Sequence, residues 1–309
     1  MRTLKSFVED HGFKFLVGIF VSLCLLHFFS QRPLWNDEQA VFENIRDFSY
    51  GELFSVLKSD QVFPRVHLAV IKFISGLFNG HVLSLRFPSL VFMMAAFGVW
   101  IKLYRQDFSK GLFLLSVMAF ALSFRMSYYA AELKPYAMDV LAVGLFLLYF
   151  QHQGRLMAAR PMWADYLLAL VMPAFIFFSY ASIFVFWIAS FNFFLLSLGN
   201  RKFWGLFVLS FLSAVLCFGV DYRIDLAHSV THPGIQGYWQ DYFIQTSSLK
   251  GFFEPIGEGF QEIATWWHGN GRMLSGWRPP LFLVFFILWS VLGPSVLGPI
   301  NFIFFMRNL

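Results

Sequence analysis

Eight apolar runs recur along the 309 residues, at 13–30, 87–104, 111–128, 136–151, 163–180, 182–199, 203–220 and 280–306. A helix needs about 20 mainly apolar residues to cross the hydrocarbon of a bilayer. Inside the bilayer every backbone polar group must be bonded within the segment, which leaves helices as the simplest solution for runs of this kind. The pattern predicts an all-α polytopic transmembrane bundle of about eight spans. Composition agrees, with 58% hydrophobic and 13% charged residues, against roughly 25% charged in a soluble domain. A water-soluble fold is excluded, and so is intrinsic disorder, which needs low hydrophobicity.

The net charge of +5 does not indicate a nucleic-acid partner. The basic residues are scattered between the apolar runs and form no stripe. Cys24 and Cys217 fall inside apolar runs and read as small core residues, so neither a disulfide nor a cysteine zinc site follows. The first apolar run, Phe15 to Ser30, follows Lys5 and Lys14 and lacks a small-x-small cleavage pattern, as an uncleaved signal-anchor would.

Charge sets the orientation. The stretch 66–79 is apolar but short and carries His67 and Lys72, so it reads as an amphipathic helix lying in the membrane interface. With that choice, Arg2, Lys5 and Lys14, then Lys102, Arg105 and Lys110, then Arg155 and Arg160, then Arg201 and Lys202, and finally Arg307 all fall on one side. That is the positive-inside pattern. The segments 31–86 and 221–279 then lie outside and hold most of the acids. The organisation expected is a core over 1–220 with external loop 31–86, a second external loop 221–279, and a C-terminal span or spans over 280–309, where Pro294 and Pro299 fall.

Four constellations could carry chemistry. Leu34-Trp35-Asn36-Asp37-Glu38 directly follows the first run. Asn36 reads as a helix N-cap with Gln39 three residues on, and Val41, Ile45 and Phe48 as the helix's apolar face. Equally, an acidic pair just outside the bilayer puts a base within reach of a lipid-linked substrate. Tyr128 to Tyr136 forms a tight external turn, because Pro135 disfavours helix at Lys134 and suits the next helix's first turn. Asp139 then lies about one turn inside the next span, a costly place for an acid, paired with Lys134 or Arg125. Arg65, Arg86, Arg125 and Lys134 are external cations. Clustered, they suit a lipid phosphate; singly, they are snorkelling residues. The second external loop sets Trp239, Trp266, Trp267 and Trp277 beside Glu254, Glu258 and Glu262, as an aromatic belt or as sugar-stacking faces. His228, His232 and His268 lack the His-Glu-x-x-His pattern of a zinc helix.

The order of these motifs resembles the GT-C superfamily of membrane glycosyltransferases. The nearest groups are glycosyltransferase family 39, the protein O-mannosyltransferases, the lipid A aminoarabinose transferases and the RgtA/B/C/D-like bacterial enzymes. The resemblance covers roughly residues 30–200 and rests on Leu34 to Glu38, Phe63-Pro64-Arg65 with the helix after it, Arg86-Phe87-Pro88-Ser89, and Glu132-Leu133-Lys134-Pro135-Tyr136. A double proline usual before the interfacial helix is a single Pro64 here. Relatives commonly carry more spans, which leaves open a minimal member, a fragment or an inactive remnant.

The resemblance implies transfer of a sugar from a polyprenyl-phosphate donor to a glycan, lipid or protein acceptor at the outer face, with inversion. It implies Asp37 as the base, with Glu38 orienting it or binding the acceptor. Lys134, and then Arg86 and Arg65, would receive the donor phosphate. Glu132 and Asp139 would support these groups or hold a metal, and Tyr136 would contact substrate. Members differ in their need for a divalent cation, so the cofactor stays open. The setting implied is a bacterial inner membrane with the site facing the periplasm. Two other classes remain: a lipid-linked glycan flippase or transporter, which calls for broken helices and ionisable residues within several spans, and an inactive interaction subunit of a glycan-assembly complex.

Overall fold

The computed structural model describes residues 2–156 and 162–227, and among them every regular element is helical. The run at 280–306 and the tryptophans, glutamates and histidines singled out in the second external loop lie outside the described residues.

The helices are α1 (Arg2–Phe29), α2 (Asn36–Asp47), α3 (Arg65–Leu77), α4 (Val82–Asp107), α5 (Lys110–Ala121), α6 (Phe124–Tyr129), α7 (Tyr136–Leu156), α8 (Trp163–Val171), α9 (Ala181–Gly199) and α10 (Trp204–Asp221). Among the described residues, three helical stretches are long and apolar enough to cross a membrane: His11–Phe29, Val82–Asp107 and Arg201–Asp225. Lys110–Ala121, Tyr136–His152 and Trp163–Phe177 are apolar but shorter. On α9, Phe184 and Ile188 are each 72% exposed and Phe191 63%, at i, i+4 and i+7 along one stripe. On α10 Phe211, Leu212, Val215 and Leu216 are exposed in the same way. Continuous apolar stripes of this size have no place in water, and a lipid environment accounts for them.

Among the described residues, two apolar runs are not single helices. The run 111–128 breaks at Leu122–Ser123, where the Ser123 N–H bonds back to Phe120 and its carbonyl accepts from Ser127 to start α6. The run 163–180 gives α8 and then a 3₁₀ segment, Met172–Phe177. Pro173 explains the second break, since it has no N–H to return to Ala169. The stretch expected to lie in the interface is α3, whose 13 residues span about 20 Å at 1.5 Å per residue. That falls short of the roughly 30 Å hydrocarbon.

The chain divides into two compact units. Of the described residues, one holds those up to Leu23 and Ile101–Tyr128. There Phe13 packs on Phe113 and Phe20 edge-on against Phe120, while the Arg105 guanidinium sits 5.0 Å above the Phe13 ring. The other unit holds Cys24–Trp100 and Tyr129 onward. Its helices α7, α8, α9 and α10 enclose Phe146, Met172, Phe186, Phe203 and Leu206. The α7 backbone comes so close to α4 that a Cβ on Gly144 would meet Val99 Cγ1 at 2.8 Å.

Segment 31–86 packs a core with the turn before α7, in which Val41 and Ile45 of α2 and Leu68 and Ile71 of α3 close over Leu53, Phe63 and Leu133. Buried Asn44 ties it together. Its amide donates to Ala40 O and Lys58 O, and its side-chain oxygen accepts from the Lys58 N–H at 2.8 Å. Asn44→Ala is expected to cost about 1–3 kcal/mol by leaving buried backbone groups unpaired. Limited proteolysis of 48–63 in detergent checks this, faster cleavage than wild type being the expected result.

Candidate functional site

All the site residues lie in the second unit. Helix α2 begins at Asn36, one residue earlier than a cap at Asn36 would allow, because the chain stays extended through Trp35. The acid closing the first turn is therefore Glu38 rather than Gln39, and its carboxylate accepts from the Trp35 N–H at 3.4 Å. Successive residues on a helix point about 100° apart, so Asp37 and Glu38 cannot share one environment. Glu38 lies on the face of Val41 and Ile45 and is fully buried, while the Asp37 side chain is 47% exposed.

Every oxygen of Glu38 is engaged. Oε2 accepts from Arg86 Nη2 at 2.8 Å, and Oε1 accepts from the Leu133 N–H at 2.7 Å, with Arg32 Nη2 at 3.9 Å. Arg86 is itself fully buried and also donates to the carbonyls of Arg32 and Pro33. These contacts lock three segments together: the residues after α1, the first turn of α4, and the turn between α6 and α7. In this arrangement Glu38 and Arg86 are an anchor, with no surface turned to an acceptor or a phosphate.

Of these groups Asp37 faces outward, while Lys134 beside it is buried, 8% exposed. Lys134 Nζ lies 3.4 Å from Asp37 Oδ2 and 3.2 Å from Gln61 Oε1. Lys134 thus meets Asp37, not Asp139. The Asp139 N–H is capped by the Pro135 carbonyl, and its carboxylate accepts from Ser179 Oγ at 2.6 Å, just beyond the 3₁₀ segment. Arg65 is placed elsewhere too. It is buried at the start of α3 and pairs with Asp225 at 2.7 Å, in the π-helical turn after α10. The Tyr136 ring packs at a tilt against Tyr129, centroids 4.6 Å apart, and lies within electrostatic reach of Glu132 and Asp37.

Glu132 is 2% exposed. Its Oε1 accepts from Trp35 Nε1 at 3.1 Å, its Oε2 is buried without a partner, and its backbone carbonyl accepts from Ser89 Oγ. Burial, with the charge of Glu38 behind it, pushes the carboxyl up to about 7, against the pull of Arg32, the Trp35 N–H and Lys134. Between its ordinary 4.5 and about 7 the folded chain binds more protons here than the unfolded one. Stability contributed at this group is therefore lost as pH rises through that window. Glu132→Gln is expected to match wild type below pH 4.5 and to melt at higher temperature above pH 7. Thermal unfolding in detergent checks it, and an unchanged slope in the variant would remove Glu132 as the source.

Among the described residues, no three His, Cys, Asp or Glu side chains gather to hold a metal ion. Glu132, one of the two acids expected to support the site or bind a metal, accepts from Trp35, and the other, Asp139, accepts from Ser179. Sequence reasoning missed Arg32, Trp35, Gln61 and Asp225 as partners of the site's residues. For Glu38 a signal existed, since its i, i+3, i+7 spacing with Val41 and Ile45 marks it as inward-facing. Comparison of the chain with known family models, curated proteins and solved structures yields no match.

Proposed function

We propose that the chain is a membrane glycosyltransferase that moves a sugar from a polyprenyl-phosphate donor to a glycan, lipid or protein acceptor at the outer face. On this reading the helices form a GT-C-like core of about eight crossings in a bacterial inner membrane, with the first external loop in the periplasm. The observation that carries it is the Asp37–Lys134 pair. An outward carboxylate and a cation, 3.4 Å apart, sit on a helix start and a turn that the buried Glu38–Arg86 pair clamps together. Those are the two charges that such a transfer needs.

In the reaction, the acceptor oxygen attacks the anomeric carbon from the side opposite the phosphate. Its proton passes to the Asp37 carboxylate as the new C–O bond forms. The bond from the anomeric carbon to the phosphate oxygen breaks, and polyprenyl phosphate leaves with the electron pair. Lys134 meets the charge building on that oxygen. A single displacement inverts the anomeric centre. The test is transfer from a radiolabelled polyprenyl-phosphate-sugar pool in membranes containing the chain, against membranes without it. Labelled acceptor appearing only with the chain supports the reading, and equal labelling overturns it.

A further inference from the structure

The reaction above makes no use of Trp35, whose setting differs from that of a membrane-anchoring tryptophan. An anchoring indole lies at headgroup level with its polar edge toward the wet side. Trp35 is turned the other way. Its Nε1 donates inward to the buried Glu132 carboxyl, while the residue remains 42% exposed. Glu132 is in turn held from both flanks, with Arg32 donating to the Ala131 carbonyl and the Leu133 N–H donating to Glu38.

This arrangement is costly to the fold, since it buries a carboxyl with one oxygen unpartnered. What it secures is a flat aromatic surface, fixed in orientation, two residues before Asp37 and at the start of the same helix. A pyranose ring presents a face of C–H groups that carry slight positive charge, and such a face packs on the negative face of an aromatic ring. As the bond to phosphate breaks, positive charge grows at the anomeric carbon and is drawn to the indole face more strongly still.

We propose that Trp35 is the stacking platform for the pyranose ring of the transferred sugar, with Glu132 as the positioning residue that fixes the indole beside Asp37. The proposal rests on the transferase reading and adds the surface that receives the sugar.

The test uses the full chain in detergent, labelled with 5-fluorotryptophan, with the Trp35 resonance assigned by its absence in Trp35→Phe. The probes are farnesyl-phosphate-linked hexoses and farnesyl phosphate alone. The sugar-bearing probes are expected to shift the Trp35 resonance, and farnesyl phosphate is expected to leave it in place. The shift should persist in Asp37→Asn, so binding is read apart from turnover. In the transfer assay Trp35→Ala is expected to raise the donor KM about tenfold and to lower kcat as well, with Trp35→Phe in between. Glu132→Gln still offers an oxygen to the indole N–H and should stay within about twofold of wild type. Glu132→Leu should behave like Trp35→Ala.

A Trp35 resonance moved equally by farnesyl phosphate alone marks a lipid contact and overturns the platform. So does an unchanged KM in Trp35→Ala. Glu132→Gln as impaired as Glu132→Leu would make the charge essential and end the positioning role. If Trp35→Ala fails to accumulate, Trp35→Phe and the resonance shift still decide. Transfer by wild type with an unmoved resonance overturns the platform alone, whereas no transfer and no shift overturn the transferase reading with it.

Discussion

Asp37→Asn is expected to abolish sugar transfer while the protein accumulates as wild type does. The substitution keeps the shape of the side chain and removes only the capacity to take a proton. Losing a positioned general base costs about 10²–10⁴ in rate. The fold should change little, because Asp37 belongs to no core cluster, its side chain is 47% exposed, and the buried Lys134 keeps Gln61 Oε1 and the asparagine oxygen as partners. The neighbouring acid makes the contrast, since Glu38 is sealed inside and its removal acts on folding. Transfer from a labelled polyprenyl-phosphate-sugar pool, at protein levels matched by immunoblot, separates the two. Equal transfer by wild type and Asp37→Asn would remove Asp37 as the base. Asp139, in the first turn of α7 and bonded to Ser179, would then be the next acid to test.

How much of this was legible in the sequence depends on the range over which each interaction acts. Helices α4, α7, α9 and α10 fall where their apolar runs predicted them, because the apolarity of a run is a local property. The shortness of α3 was legible for the same reason, through His67 and Lys72 in its apolar stretch. The break at Pro173 was also written locally, in a residue that cannot donate. The break at Leu122–Ser123 was not, since the bonds that make it run between backbone groups. At the site, the residue types were legible and their partners were not. Lys134 had two acids within reach in the chain, and only the folded turn chooses Asp37, nearly a hundred residues away, over Asp139. Arg65 and Asp225 meet across a separation that no spacing rule covers. A cation beside a membrane reads alike in sequence whether it will face a phosphate or be buried against a carboxylate.

The buried Glu38–Arg86 pair carries the second large effect, and its sign differs between single and double variants. Removing Arg86 leaves the Glu38 charge sealed among Val41, Ile45 and Leu133, with the Leu133 N–H and a more distant Arg32 for company. An uncompensated buried charge of that kind costs about 3–5 kcal/mol, enough to unfold many single domains. Arg86→Met is therefore expected to lose most folded protein. Glu38→Gln should also cost stability, because the buried Arg86 keeps the Arg32 and Pro33 carbonyls but loses the carboxylate that balances its charge. The double variant Glu38→Gln/Arg86→Met buries no net charge and should recover part of what Arg86→Met loses. Monodisperse yield and thermal unfolding in detergent give the three comparisons, and a double variant no better than Arg86→Met would refute the account of the pair. The same protein then decides what Arg86 does. If the double variant folds and its donor KM stays near wild type, Arg86 is an anchor for the Asp37 helix. If it folds and the donor KM climbs steeply, the guanidinium leaves its carbonyls to meet the phosphate when the donor binds.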